Sequence, residues 1–448
     1  MPHMTYPQAT SYLESLIDYE RTPAGAAAAR LWNLDRMRAM LHAVGDPHLG
    51  LRCLHIAGTK GKGSTAAFAA SILTAAGLRT GLYTSPHLIL VRERIRINGE
   101  MISEEDVAAL TTSIQPIIAS AGNGEHGPPS FFEAYTLLAF LHFARHRVDI
   151  AVLETGLGGR LDATNVIQPL ACAITRIGRD HILELGATIP QIAREKAGII
   201  KTGVPVISAP QPPEALEVFQ EICLERRAQL IVLGGESGPK VTVTHTDRAR
   251  QLFTINGMRG IYADLECPLL GAHQAENAAL AVGLLELLAE HGIEVAEPAI
   301  REGLKSIRWP GRFQIVGHRP TIVLDGAHDE LSAAALAAAL QSLFPRKRII
   351  LVLGVGRDKQ AQAIISHLCP LADRVLATAS SSPRALPADE LQRLVFPHCP
   401  HTAAYTPASL AVREALSQAR PDDVILITGS LYVVGEALRS LGLGEPEL

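Results

Sequence analysis

A chain of 448 residues is too long for one ordinary core, so two or three packed units are expected. Hydrophobic residues make up 47%, ample for buried cores, and a net charge of −4 gives no general reason to expect a nucleic-acid partner. The six cysteines are scattered, with no CxxC pair and no zinc spacing, and read as reduced thiols of a cytosolic protein. The polar stretch 1–20 lacks a signal-peptide core, and the apolar run 66–77 is broken by Ser71 and Thr74, so no membrane partner is expected and the location reads as cytoplasmic.

In chain order, helices are expected over 12–19 and 31–44, with Thr22-Pro23-Ala24-Gly25 as a loop between them. Leu34, Met37, Leu41 and Val44 share a face of the second helix, and Gly45 closes it. An apolar strand containing Leu54, Ile56 and Ala57 then runs into Gly58-Thr59-Lys60-Gly61-Lys62-Gly63-Ser64. Ser64 and Thr65 suit a helix start, Phe68, Ile72 and Ala75 share a face, and Gly77 suits the C-terminal cap. Strand, glycine loop and helix start together hold phosphate: glycine admits the anion closely, and the free N–H groups and dipole favour it. Lys62 adds a point charge. The spacing differs from the common P-loop, because only Thr59 and Lys60 separate Gly58 from Gly61 and Gly63 separates Lys62 from Ser64. A flexible surface turn is the bland alternative.

A strand over 80–83 ends in Thr84-Ser85-Pro86-His87. Arg92, Arg94 and Arg96 alternate with Glu93, Ile95 and Ile97 before Asn98-Gly99, which reads as a hairpin arm with one charged face, or simply a solvated one. Residues 120–130 read as a loop, and Phe131 opens an apolar helix to Arg145. A strand over 148–153 ends in Glu154-Thr155-Gly156-Leu157-Gly158-Gly159-Arg160-Leu161-Asp162, and a strand over 171–174 leads to Asp180-His181. A helix over 190–197, a strand over 204–208, a helix over 213–228, a small β region over 230–268 and a long helix from about 272 to 290 follow. Near Trp309-Pro310-Gly311-Arg312 a new βα alternation begins: strands at 321–324, 348–353, 374–379 and 423–428, and helices at 330–343, 359–368 and 430–441. This places a boundary between units 1–309 and 310–448.

The chemical residues gather at strand ends. The glycine loop, Ser85, Glu154 and His181 each follow a strand, and such positions line one edge of an open parallel sheet, where ligands bind. A hydroxyl, a carboxylate and an imidazole are competent ligands, and the oxygen donors suit magnesium bridged to phosphates. Singly, His181 could be a satisfied core histidine and Glu154 a helix cap. Lys196 shares a helix face with Ile192 and Ala193, where a lysine rarely stays buried and charged without a partner. Either it snorkels to solvent, or its charge is altered or paired; carbamylation would make it carboxylate-like. Asp325-Gly326-Ala327-His328 also follows a strand. Gly354-Val355-Gly356 lacks the third glycine of a dinucleotide fingerprint, which argues against a nicotinamide dehydrogenase.

These segments, with Ala163-Thr164-Asn165, Arg194-Glu195-Lys196-Ala197-Gly198, His273-Gln274 and Asn277 in the same order, resemble the folylpolyglutamate synthase and dihydrofolate synthase family, a branch of the Mur ligases. The resemblance spans roughly 30–435. It implies an α/β fold: a P-loop-type parallel-sheet ATP-binding domain followed by a smaller Rossmann-like α/β domain. It implies an ATP-dependent amide ligase that adds L-glutamate to tetrahydrofolate, and to dihydropteroate as well, through an acyl phosphate. The cofactors implied are ATP and Mg2+, and the partners are these small molecules, with the chain a monomer. Gly61, Lys62, Gly63, Ser64, Asn277, Arg312 and Asp325 would hold ATP. Ser85, Glu154 and His181 would hold the metal, and Lys62, Lys196 and His328 would serve catalysis, Lys196 as the lysine carbamylated in the family. Ser130, Phe131, Phe132, Glu133, Leu161, Asp162 and Ala163 would meet the pterin, and His328 and Ser430 the incoming glutamate.

Several positions depart from the commonest bacterial pattern. Lys60 stands where Asn is frequent, although lysine is also familiar there, Asp329 stands where Asn is usual, Arg176 and Arg179 flank the strand before Asp180, and Leu31-Trp32-Asn33-Leu34-Asp35-Arg36 lacks the Asp-Leu-Gly of bifunctional members. The last supports an alternative, a monofunctional folylpolyglutamate synthase. A cell-wall amino-acid ligase acting on a UDP-sugar peptide would carry a further N-terminal domain, for which the stretch before residue 58 is too short. A non-catalytic nucleotide sensor would not need Lys62, Glu154, His181 and Lys196 together.

Overall fold

The computed structural model describes residues 3–19, 33–122 and 127–443. The larger sheet orders its strands β4-β3-β2-β5-β1-β6-β7-β8. These are β1 (Cys53–Ala57), β2 (Thr80–Tyr83), β3 (Ile95–Ile97), β4 (Glu100–Met101), β5 (Ile150–Glu154), β6 (Ala171–Ile174), β7 (Val206–Ser208) and β8 (Leu230–Val232). From β2 to β8 every pairing is parallel, and β3 and β4 add an antiparallel edge. The central parallel strands are buried on both faces, which is why they read as mainly apolar runs, interrupted only by His55 and the terminal Glu154.

One face is covered by helix Lys62–Ala75, which is in turn covered by Ala272–Glu286 and Glu297–Ser306. Helices Asp35–Ala43, Glu104–Gly122 and Phe131–Arg145 cover the other face. Strands β9 (Lys240–Thr246), β10 (Gln251–Asn256) and β11 (Ile261–Cys267) form a separate antiparallel sheet. The third sheet, order β12-β13-β17-β14-β15-β16, comprises β12 (Gln314–His318), β13 (Thr321–Leu324), β14 (Ile349–Leu353), β15 (Arg374–Thr378), β16 (Thr402–Tyr405) and β17 (Val424–Thr428). Only the β12–β13 pair is antiparallel.

Several sequence expectations shift. The first helix runs over Tyr6–Glu14 rather than 12–19, because Thr5 and Gln8 form a capping box with Pro7 in the first turn. The second is Asp35–Ala43; residues 31–32 and the loop at 22–25 lie outside the described residues. Helix Lys62–Ala75 buries Phe68 and Ile72, but Ala75 is exposed, and residues 64–70 are buried all round because the helix is sandwiched. The charged face expected of Arg92, Arg94 and Arg96 is absent. Arg94 is 1% exposed, with its guanidinium over the Phe131 ring, and Arg96 is buried with Nε donating to the Glu93 carbonyl. Strand β16 and helices Ala388–Val395 and Ala408–Gln418 were not legible, being short segments among turns. All six cysteines are buried free thiols.

Candidate active site

The glycine loop leaves β1 and is pinned by the next strand's exit: the Thr59 and Lys60 N–H groups donate to the Arg176 carbonyl at 3.1 and 3.2 Å. Gly61 caps helix Lys62–Ala75 at φ +92°, and a Cβ there would stand 2.4 Å from Asn277 Oδ1. Only glycine satisfies both the left-handed backbone and that approach. The loop thus brings Asn277, on helix Ala272–Glu286, against the helix start. Lys62 Nζ lies 3.9 Å from Glu154 Oε1, and a Cβ at Gly63 would stand 3.3 Å from Glu154 Oε2.

Glu154 ends β5 and is buried. Burial raises its pKa to about 7, against the Lys62 charge, the Ser85 N–H at 3.2 Å and Arg312. Ser85, just beyond β2, therefore touches Glu154 directly. His181 does not directly follow its strand as expected. It caps the short helix Ile182–Leu185 in a left-handed conformation, with Nε2 3.8 Å from Asp180, and burial lowers its pKa to about 3. Lys196 does not snorkel. It is 4% exposed, its Nζ donates to the Gly58 carbonyl at 2.7 Å, and burial, then the Lys62 charge, pulls its pKa down to about 7. A lysine poised there is neutral part of the time and can react as an amine.

Arg312 and Asp325 come from the third sheet's side. Burial lowers the Arg312 pKa, opposed by the charges of Asp325 and Glu154, and its Nη1 donates to the Gly311 carbonyl at 3.1 Å. Asp325, directly after β13, accepts the Phe313 and Ala327 N–H groups at 2.8 Å each. Lys62, Glu154, Arg312 and Asp325 therefore gather beside the glycine loop, Glu154 and Asp325 buried and Lys62 and Arg312 partly exposed.

Next to it opens a cavity of about 280 Å³. Ser85, Ser130, Phe132, Glu133, Leu161, Asp162, Ala163, His181, His328 and Ser430 line it. Phe131 does not; its ring packs into the apolar cluster behind the wall, 4.6 Å from Tyr135. Ser130 and Glu133 form a capping box that starts helix Phe131–Arg145 at the cavity. Glu133 is also gripped by Arg36, Nε and Nη2 donating to its two oxygens at 2.8 and 2.9 Å. Asp162 accepts from Leu157 N–H at 2.9 Å and from Thr164.

Sequence reasoning missed a network that meets the cavity through His328 and Lys359. Lys60 Nζ donates to Asp180 Oδ2 at 3.0 Å, pairs with Asp329 and donates to His328 Nε2 at 3.0 Å. His328 Nδ1–H donates to the Gly326 carbonyl at 2.8 Å, which leaves Nε2 as the acceptor. Lys359 Nζ closes the network on Asp180 Oδ1 at 2.8 Å. The signal was present: Lys60 and Asp329 both depart from the common asparagine, with opposite charges. Arg36, Asp358 and Arg384, also on the cavity wall, carried no motif.

Comparison with known proteins places this geometry. Residues 56–285 match the Mur ligase middle domain, and 311–431 match the Mur ligase glutamate ligase domain. The fold and site thus define a Mur ligase. A dihydrofolate synthase/folylpolyglutamate synthase of Bacillus subtilis is 36% identical over 423 residues, covering 91% of this chain and 94% of that one. The crystal structure of a folylpolyglutamate synthase from Thermotoga maritima superposes with a TM-score of 0.84 at 35% identity, covering 98% of this chain and 97% of that one. Escherichia coli FolC in complex with DHPP and ADP gives 0.85 at 30% identity, covering 99% of each. The chain belongs to the folylpolyglutamate synthase/dihydrofolate synthase family of Mur ligases.

Proposed function

We propose that the chain is an ATP-dependent ligase that joins the amine of L-glutamate to a folate carboxylate, both extending tetrahydrofolate and converting dihydropteroate to dihydrofolate. The observation that carries this reading is the gathering of Lys62, Glu154, Arg312 and Asp325 at the glycine loop, beside a cavity lined by residues from both halves of the chain. A carboxylate in that cavity attacks the γ-phosphate of ATP, forming an acyl phosphate and ADP. The glutamate amine then displaces phosphate. Loop N–H groups, Lys62 and Arg312 stabilise charge on the transferring phosphoryl group. Asn277 and Asp325 border the nucleotide, and Ser130, Phe132, Glu133, Leu161, Asp162 and Ala163 border the pterin. His328 and Ser430 face the glutamate.

The donor set fits magnesium: a buried carboxylate whose charge burial disfavours, a serine whose backbone N–H meets that carboxylate, and a neutral imidazole on the cavity wall. Ser85, Glu154 and His181 would hold the ion, which when bound offsets phosphate charge. Lys196, deeply buried with a depressed pKa, is the residue for carbamylation. The units 1–309 and 310–448 would respectively bind ATP with folate and supply the glutamate side. Buried free thiols suit the cytoplasm, and the chain would act as a monomer. No helix among the described residues is long and apolar enough to cross a membrane.

The deciding experiment is ADP release with tetrahydrofolate or dihydropteroate, each with and without L-glutamate. Glutamate-dependent release with both supports the reading. Release with tetrahydrofolate alone returns the monofunctional alternative, and release with neither removes the ligase assignment.

A further inference from the structure

Three ligand-type side chains meet at the end of helix Phe131–Arg145 remote from the cavity. His142 and His146 stand one turn apart, with ring centroids separated by 4.4 Å. Asp106, in the first turn of helix Glu104–Gly122, faces both: its Oδ2 lies 3.0 Å from His146 Nε2 and 3.5 Å from His142 Nδ1. The two ring nitrogens and the carboxylate oxygen all lie within 4.8 Å of one another. His142 is 4% exposed, and its Nδ1 has no hydrogen-bond partner among the described residues. A buried ring nitrogen without a partner is costly, and Asp106 Oδ2 stands 3.5 Å from this one without hydrogen-bonding it.

Two cations face the group. Arg145 Nη1 is 3.4 Å from Asp106 Oδ1, but its side chain is largely exposed and free to turn outward. Arg79, in the turn before β2, contributes at longer range. His146 is one-third exposed, which gives an ion a way in. Two imidazoles at i and i+4 with one carboxylate are the donors of a borderline transition ion, whereas magnesium or calcium would want oxygens.

We propose that Asp106, His142 and His146 form a site for zinc or a similar divalent transition ion, with a fourth position open to water. The ion would tie helix Glu104–Gly122 to the C-terminal end of helix Phe131–Arg145. That helix is 15 residues long, so the site lies about 20 Å from the cavity at its other end. It serves stability rather than chemistry.

The test uses the full chain stripped with chelator, equilibrated with zinc sulfate and passed through a desalting column. Wild type is compared with His146→Ala and Asp106→Asn, neither of which touches the cavity. Wild type should retain about one more zinc per chain than either variant, and cobalt(II) should give tetrahedral visible bands in wild type alone. Zinc should raise the wild-type melting temperature and leave the variants unmoved. ADP release in zinc-free buffer should be unchanged in both variants, which shows that they fold. Equal zinc retention by wild type and the variants, or a zinc-induced rise that survives in both, overturns the site.

Discussion

Lys62 sits where loop, carboxylate and phosphoryl group would meet, 3.9 Å from Glu154. Lys62→Ala should lower ligation by on the order of 10²-fold or more while leaving the circular dichroism spectrum intact; wild-type turnover in a folded variant would remove its role. For Lys196, the depressed pKa supplies the neutral amine that carbon dioxide requires. Lys196→Ala should lose most activity and Lys196→Glu regain part, and bicarbonate should reactivate protein stripped of carbon dioxide at low pH. Normal turnover by Lys196→Ala sinks the carbamate. Glu154 sets a pH dependence. Its raised pKa of about 7 means that a proton occupies the carboxylate below that pH and is absent above it. Magnesium bound there competes with the proton, so binding should weaken as pH falls through about 7 and release a proton near that pH. Calorimetry in buffers of different ionisation enthalpy reads the proton directly; pH-independent binding from 6 to about 8 would place the ion elsewhere.

Among the elements, those that carry a local signal were legible. The glycine loop with β1 and helix Lys62–Ala75 was readable because turn chemistry, apolar run and charge coincide within a dozen residues. Helix Phe131–Arg145 was readable from the apolar run that follows the loop at 120–130, whereas the place of its first turn against the substrate came from the resemblance alone. What stayed hidden was long-range pairing. Arg36 reaches Glu133, and Lys60 reaches Asp180 and Asp329, across separations that no periodicity records. The inward turn of Arg94 and Arg96 was hidden for the same reason, since only tertiary packing distinguishes it from solvation. Asp329 also caps helix Glu330–Leu343 through the Ser332 N–H, and asparagine would keep that cap. Asp329→Asn should therefore report the ion pair alone and cost about 2 kcal/mol in chemical denaturation. Lys60→Met combined with Asp329→Asn should cost less than the sum of the two; strict additivity would mean that the pair does not couple the elements.

At the scale of the whole molecule, the two large sheets share a core as well as a cleft. Ile89, from the loop after β2, is buried in the apolar cluster of the third sheet with Ile322, Val433 and Val434. Its loop is shaped by Glu93, whose carboxylate accepts the N–H groups of Leu88, Ile89 and Leu90 at 2.9, 2.7 and 2.6 Å. Arg439 Nη2 donates to the Ile89 carbonyl at 2.6 Å, and a Cβ at Gly435 would stand 2.1 Å from the Leu88 carbonyl oxygen. The chain connection near residue 309 is therefore not the only thing that keeps the halves together. If the gene is cut there and the two fragments are co-expressed, they should purify as a stoichiometric pair and regain glutamate-dependent ADP release. The C-terminal fragment alone should be poorly behaved, with an apolar notch open to water where Ile89 belongs. Ile89→Asp in the N-terminal fragment should abolish the pairing; if that variant pairs as well as its parent, the loop is only a neighbour. A segment that belongs to one half by sequence and to the other by packing makes the protein separable in its covalent chain and inseparable in its folding.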